Sequence, residues 1–294
     1  MASAPLLDRE FLEKLERLTI HWQKSFAGLV GGHNKSHFPG AGQEFLDHRN
    51  YHHGDDLRAV NWRAYLRLEK MFLKMFQVEP RVPVRLLVDL SASMTVHGGG
   101  KFVYARKLAA ALCYVGLVRL DSIEVHGFSG HLGHRIASTG GRHRFPGVMD
   151  RLSSLAPEGP TDYLAVVREF IGAYSQRGLL VIVSDFLDDR DCQRALQYLA
   201  DYGHELMLLQ LWADEDRTPA WTGELELRDA ESGAGLKLDF DPEAQRRYTL
   251  AFDEYAAGIR TVAHRSGGRY AGISTSQPFE SVVFGDLMRM RGVA

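Results

Sequence analysis

The 294-residue chain has little cysteine, little net charge and no long uncharged apolar run. Cys113 and Cys192 alone support neither a disulfide framework nor a cysteine-rich zinc site, which predicts a cytoplasmic protein. A formal net charge of -2 gives no overall field for nucleic acid or an anionic membrane, so no nucleic-acid partner is expected. No segment resembles an export signal or approaches the roughly 20 apolar residues of a transmembrane helix, and we expect neither.

The chain does contain enough apolar residues for a full-sized core, because 45% of its residues are hydrophobic. Val84–Asp89 is an almost unbroken apolar run, which is typical of a strand buried on both faces of a parallel sheet. Strand and helix patterns alternate after it along the chain. This alternation predicts an α/β fold with a doubly wound, mostly parallel sheet and helices on both faces.

Hydrophobic periodicity and turn-forming residues predict the other elements. Residues 8–29 are predicted to form an amphipathic helix, and residues 31–56 a loop or several short turns. A second helix is predicted to start at Asp55 or Asp56, which suit a cap, and to run through Leu66. The remaining predicted strands are 71–78, 122–128, 132–137, 179–184, 205–212 and 270–273, and the remaining predicted helices are 101–120, 145–155, 162–174, 190–202 and 242–264.

These elements suggest a division of the chain near residue 80. Residues 1–80 are predicted to be a helical and loop segment packed on the core, and residues 81–294 to be the α/β domain. Residues 224–227 and 236–240 flank a turn-forming segment, which predicts a hairpin inserted near residues 222–240.

Oxygen-bearing side chains follow the predicted central strand at Asp89, Ser91 and Ser93. Ligands of open α/β sheets bind outside the carboxyl ends of the strands. Thr161 precedes a predicted helix and Asp185 directly follows a predicted strand, so we expect both at the same edge of the sheet. Carboxylate and hydroxyl oxygens suit a hard cation, which predicts a Mg²⁺ site with Mn²⁺ or Ca²⁺ as alternative ions.

Each of these residues also has a simpler interpretation. Ser91, Ser93 and Thr161 precede helices and could serve only as N-caps, the commonest role of such residues. Asp185 could belong with other acidic residues that favour the N-terminus of the following helix. Those residues are Asp188, Asp189 and Asp191.

The five positions resemble the metal-dependent adhesion site of the von Willebrand factor A family, which uses an Asp-x-Ser-x-Ser loop, a distant Thr and a distant Asp. The match implies a von Willebrand factor A-like fold. It also implies that the bound metal keeps one coordination position open, which a carboxylate of a protein partner fills.

A second pattern lies within residues 38–94. Apart from the Asp-x-Ser-x-Ser loop, its signature residues are Arg49, Tyr51, Gly54, Asp55, Asp56, Arg58 and Trp62. This stretch resembles the family of domain of unknown function 58. We interpret its charged and aromatic residues as a structural clamp for the N-terminal segment, with a recognition surface as the alternative.

The resemblance implies a non-enzymatic adaptor or assembly factor that works with a MoxR-type AAA+ ATPase. The rival hypothesis is a Mg²⁺-dependent hydrolase or phosphatase that uses Asp89 and Asp185, and a structural scaffold with a relic site is a third. Ser91 stands where an aspartyl phosphatase has its second acid, which disfavours the rival. Residues 98–101 do not match a phosphate-binding loop and are interpreted as a turn and a helix start.

Overall fold

A computed structural model describes residues 6–18, 20, 44–53, 55, 57, 60–77, 83–119, 121–188 and 191–290. For residues 44–47 and 74–77 it describes the backbone and not the side chains. The chain forms two compact units. The larger consists of residues 1–24 and 83–294, and the smaller of residues 25–82.

The helices and strands are numbered here in chain order. They are α1 (Arg9–Leu15), β1 (Glu44–Asn50), α2 (Trp62–Leu68), β2 (Phe72–Gln77), β3 (Val84–Asp89), α3 (Gly100–Val118), β4 (Ile123–Phe128), β5 (Leu132–Ser138), α4 (Phe145–Ser153), α5 (Tyr163–Ala173), β6 (Leu179–Ser184), α6 (Cys192–Tyr202), β7 (Glu205–Trp212), α7 (Asp214–Arg217), β8 (Gly223–Arg228), β9 (Gly235–Phe240), α8 (Pro242–Arg265) and β10 (Arg269–Ser274). Short helical turns follow over residues 279–289.

A six-stranded sheet forms the centre of the larger unit, in the order β10-β7-β6-β3-β4-β5. All neighbouring strands are parallel except the edge strand β5, which pairs antiparallel with β4. Every residue of β3 and of β6 is buried, because both strands have helices on both faces. The expected α/β fold with a mostly parallel central sheet is confirmed.

Two helical layers cover the sheet. Successive residues of a strand point to opposite faces, so Leu86 and Val88 join one apolar cluster and Leu87 joins the other. Helices α1, α3 and α4 pack in the first cluster, and α5, α6 and α8 in the second. Helix α3 is buried over most of its surface, which explains why its sequence is apolar on nearly every side.

Three expectations for the first 80 residues need correction. Helix α1 ends at Leu15, well before residue 29, and residues 21–29 lie outside the described part. The stretch expected to be loop contains β1, which pairs antiparallel with β2. Helix α2 begins at Trp62, and the side chain of Asn61 caps it by accepting from the amide of Ala64 at 3.3 Å. The helix therefore does not start at Asp55.

Candidate metal centre

Two buried aspartates lie side by side at the carboxyl end of the sheet. Asp89 ends β3, and Asp185 directly follows β6, the parallel neighbour of β3. The chain passes from β3 to β4 on one side and later to β6 on the other, so the strand order reverses here. Such a reversal is where ligands of open α/β sheets bind. The relative exposures of Asp89 and Asp185 are 0% and 1%, so both charges are withdrawn from water.

Hydrogen bonds fix the Asp89 carboxylate. Its Oδ1 accepts from the amide of Ser91 at 2.8 Å, and its Oδ2 accepts from Ser184 Oγ at 2.5 Å and from the Tyr163 hydroxyl at 3.3 Å. Burial, followed by the neighbouring charge of Asp185, raises the pKa of Asp89 to about 7. Three hydrogen bonds therefore orient the Asp89 carboxylate, but they do not fully offset its negative charge.

The two serines of the loop lie together beneath the surface. Their Oγ atoms are 3.0 Å apart, and both residues are buried. Ser91 precedes a short 3₁₀ helix (Ala92–Thr95), but its side chain makes no capping bond there. The capping alternative for Ser91 is therefore not realised.

Thr161 lies on a neighbouring loop that contacts this one. The amide of Ala92 donates to the carbonyl of Gly159 at 3.0 Å, which joins the two loops. Helix α5 is capped by the side chain of Asp162, not by Thr161. The amide and hydroxyl of Thr161 instead donate to Glu231 Oε2 at 2.8 Å and Oε1 at 3.0 Å.

Asp185 pairs with a buried lysine. Lys101 Nζ lies 2.8 Å from Asp185 Oδ2 and 3.1 Å from Asp216 Oδ2, and its relative exposure is 1%. Burial alone would lower the pKa of Lys101, but the charges of the two aspartates outweigh it and raise this pKa. Asp185 Oδ1 accepts from the amide of Leu187 at 3.1 Å, and α6 begins only at Cys192.

Five residues of this centre were not anticipated as site residues. The helix start at residues 98–101 was expected, but no local pattern tells that Lys101 turns inward. Ser184 could have been noticed, because it stands between an apolar strand and Asp185. Glu231 gives no sequence signal, since its partner Thr161 is 70 residues away. The five are Lys101, Tyr163, Ser184, Asp216 and Glu231.

The described residues contain no group of three or more His, Cys, Asp and Glu side chains arranged to hold a metal ion. A cation at this rim would therefore depend on hydroxyl oxygens as well as carboxylates. That donor set favours Mg²⁺ over zinc. No helix in the described part of the chain is both long and apolar enough to cross a membrane.

Four of the seven signature residues are described, and two of these, Arg49 and Asp55, bind each other. Arg49 binds the Asp55 carboxylate with both terminal nitrogens, at 2.8 and 2.6 Å. The amide of Tyr51 donates to the carbonyl of Met71. Trp62 is half-exposed and meets Tyr65 edge to face. Three other signature residues, Gly54, Asp56 and Arg58, lie outside the described residues.

Replacing Arg49 by alanine is expected to return the pKa of Asp55 toward its ordinary value of 3.8. The hydrogen bonds from Arg49, followed by that from the amide of His52, lower this pKa to about 2. Carboxyl chemical shifts followed by NMR during an acid titration measure it. An Asp55 pKa that stays near 2 in Arg49→Ala would show that the guanidinium is not the cause.

Comparisons with known proteins give the family but not the activity. Uncharacterized proteins of Mycobacterium tuberculosis and Mycobacterium bovis are 24% identical over 279 residues, covering 92% of this chain and 86% of each relative. The conserved hypothetical protein BatB from Bacteroides thetaiotaomicron is 15% identical, with a TM-score of 0.43, over 71% of this chain and 98% of its own. An aerotolerance-related membrane protein from Bacteroides fragilis is 13% identical, with a TM-score of 0.44 and the same coverage.

The family model described as "Protein of unknown function DUF58" matches residues 47–257. The match runs from β1 into α8 and includes every residue of the candidate metal centre. It spans more than half of the chain, and the chain therefore belongs to the DUF58 family.

Proposed function

We propose that the chain is a metal-dependent protein-interaction module of the von Willebrand factor A type. Mg²⁺, or Mn²⁺ or Ca²⁺ in its place, would be held by Asp89, Ser91, Ser93, Thr161 and Asp185. The observation that carries the proposal is the buried carboxylate of Asp89, which makes no ion pair with any described residue although hydroxyls and a second carboxylate surround it. A buried charge of this kind is stabilised by a cation, and without one the carboxyl takes up a proton more readily, which is the origin of the raised pKa of Asp89.

The residues present fit a divalent cation. Each hydroxyl keeps an acceptor lone pair, and each Asp185 oxygen accepts one hydrogen bond and can accept another contact. When ionised, Asp89, Asp185, Asp216 and Glu231 together with Lys101 leave an excess of three negative charges. A bound Mg²⁺ would offset two of them.

The bound ion would supply a positive charge able to take one further anionic ligand. We assign that ligand to a carboxylate of a protein partner. Asp89 and Asp185 would hold the charge of the ion, while the neutral hydroxyls of Ser91, Ser93 and Thr161 would leave it electrophilic. The chain would then select partners by an acidic side chain placed at the edge of the sheet.

We further propose that the chain is an adaptor or assembly factor of a MoxR-type AAA+ ATPase, and not an enzyme. This part rests on the family resemblance of the signature residues. In such a role the metal centre would engage a client or the ATPase itself through a carboxylate.

Titration calorimetry with Mg²⁺ and Mn²⁺ tests the metal site. We expect one ion per chain, and thermal unfolding at an ion concentration of 100 times Kd should show about 2.7 kcal/mol of added stability. Binding to a purified MoxR-type ATPase is expected in Mg²⁺ and lost in excess chelator. Affinity for that partner that persists in chelator would contradict the proposal.

A chelator also strips the nucleotide-bound ion of the ATPase, so a matched control is needed. Asp89→Asn in the presence of Mg²⁺ removes the proposed site and leaves the nucleotide-bound ion of the ATPase in place. It is expected to reproduce the effect of the chelator. Metal-stimulated turnover of a generic phosphoester, lost in the same variant, would favour the hydrolase hypothesis instead.

A further inference from the structure

The hairpin formed by β8 and β9 presents a carboxylate to the candidate metal centre. Its turn is ordered by Asp229, whose Oδ1 accepts from the amides of Glu231 at 2.7 Å and Ser232 at 3.2 Å. The amide of Asp229 donates to the carbonyl of Ala234 at 2.8 Å, which closes the turn. Glu231 is thereby held at the tip, partly buried, while the residues on either side of it are exposed.

Glu231 contacts one of the proposed metal ligands directly. Both of its carboxylate oxygens accept from Thr161, one from the amide and the other from the hydroxyl. The hydroxyl of Thr161 can donate to Glu231 and still offer a lone pair to a cation. Glu231 is therefore in direct contact with a residue that would bind the ion.

The negative charges at the rim of the sheet affect the stability of Glu231 in its position beside Thr161. Asp89 and the Lys101-paired Asp185 are buried at this rim, so the carboxylate of Glu231 adds to an excess of negative charge there and is repelled by it. A divalent ion would turn this repulsion into attraction. The position of Glu231 is thus best stabilised when the centre is loaded.

We infer that Glu231 is an internal ligand of the metal-loaded centre. Its carboxylate would occupy the coordination position of the ion that the carboxylate of a protein partner otherwise fills. The inference rests on the proposed function. The hairpin then acts as a built-in competitor, because partner and hairpin present the same chemical group to the same ion. The geometry makes Glu231 the group that a partner must displace.

Tethering makes the competition strong. A group held on a short connection has an effective concentration on the order of millimolar. A partner carboxylate whose own affinity for the ion is weaker than this would not displace Glu231 by itself. The partner must therefore make further contacts, or another event must first move the hairpin.

Mn²⁺ binding to the full chain tests the inference, with Glu231→Ala as the main variant and Glu224→Ala as its matched control. Glu224 lies exposed on strand β8 of the same hairpin. Electron paramagnetic resonance of free Mn²⁺ gives the affinity, and water-proton relaxation reports the waters on the bound ion. Loss of Glu231 is expected to weaken Mn²⁺ binding roughly tenfold or more and to increase the relaxation enhancement. Glu224→Ala is expected to match the wild type.

Added acetate supplies the missing carboxylate. In Glu231→Ala it should restore Mn²⁺ affinity and reduce the relaxation enhancement, whereas the wild type and Glu224→Ala should not respond. Glu231→Gln keeps an acceptor for Thr161 and removes only the charge, so it should lose affinity even if alanine disturbs the hairpin.

Two results would overturn the inference, and only the second would also contradict the proposed function. If Glu231→Ala and Glu231→Gln bind Mn²⁺ with wild-type affinity and relaxation, Glu231 merely fastens the hairpin to Thr161, and the proposed function stands. If the wild type itself binds no Mn²⁺, the proposed function fails and the inference fails with it.

Discussion

Replacing Lys101 by methionine is expected to lower the free energy of unfolding by about 3–5 kcal/mol, the usual effect of removing one partner of a buried ion pair. Lys101 is almost completely buried between Asp185 and Asp216. Methionine fills most of the space but removes the cation that the two carboxylates share, and among the described residues Asp216 keeps only the ring of His97, at 3.2 Å, as an ion-pair partner. Urea unfolding at pH 7 without divalent ions, followed by far-UV circular dichroism, measures the loss.

Two controls separate the charge effect from packing. Lys107→Met, on the same helix but only partly buried, is expected to change stability far less. The double variant Lys101→Met/Asp216→Asn removes one of the stranded charges and should recover part of the loss. Mg²⁺ should also recover part of it, since the ion would lie beside Asp185. Unchanged stability in Lys101→Met would show that the buried pair contributes nothing net.

The α/β core was predictable because its signal is local. Runs such as Val84–Asp89 and Leu179–Ser184 are apolar at nearly every position, which is typical of strands covered on both faces. The predicted hairpin near residues 222–240 was found as β8 and β9 for the same reason. Their alternating residues and intervening turn encode the structure within a few positions.

The smaller unit was harder to predict because its strand β1 lacks that pattern. Asp47, His48, Arg49 and Asn50 are consecutive polar residues, so neither alternation nor an apolar run marks the strand. The pairing with β2, more than 20 residues later, defines it. Asp55 had the right chemistry for a helix cap, but Arg49 binds it instead.

Strand polarity alone was enough to place part of the candidate centre. Residues that end neighbouring parallel strands must share an edge, so the proximity of Asp89 and Asp185 followed once the strands were recognised. The contacts of Lys101 with Asp185 and of Glu231 with Thr161 depend on how a helix and a hairpin pack. Sequence spacing carries no information about them.

Replacing Asp89 by asparagine is expected to abolish Mg²⁺ and Mn²⁺ binding in titration calorimetry while far-UV circular dichroism stays near that of the wild type. Asparagine has nearly the same shape, can still accept from the amide of Ser91, and offers its NH₂ to the oxygens of Ser184 and Tyr163. What it lacks is the charge that the ion requires. Binding that survives in this variant would show that Asp89 is not a ligand.

The same variant is expected to be more stable than the wild type when no metal is present. The pKa of Asp89 in the folded chain, about 7, lies above its ordinary value of 3.8. Between these values the unfolded chain holds fewer protons, so the stability of the wild type falls as the pH rises from about 4 to 7 and stays low above. A pKa difference of roughly three corresponds to about 4 kcal/mol.

Weaker hydrogen bonds to the amide offset part of that difference, which leaves an expected gain of about 1–3 kcal/mol for Asp89→Asn at pH 8. Saturating Mg²⁺ should reverse the order, because the ion stabilises the wild type and not the variant. Calorimetric unfolding of both proteins at pH 5 and pH 8, with and without Mg²⁺, measures the stability difference, its pH dependence and its reversal by the ion. A variant less stable than the wild type at pH 8 without metal would mean that hydrogen bonding, not charge burial, governs Asp89.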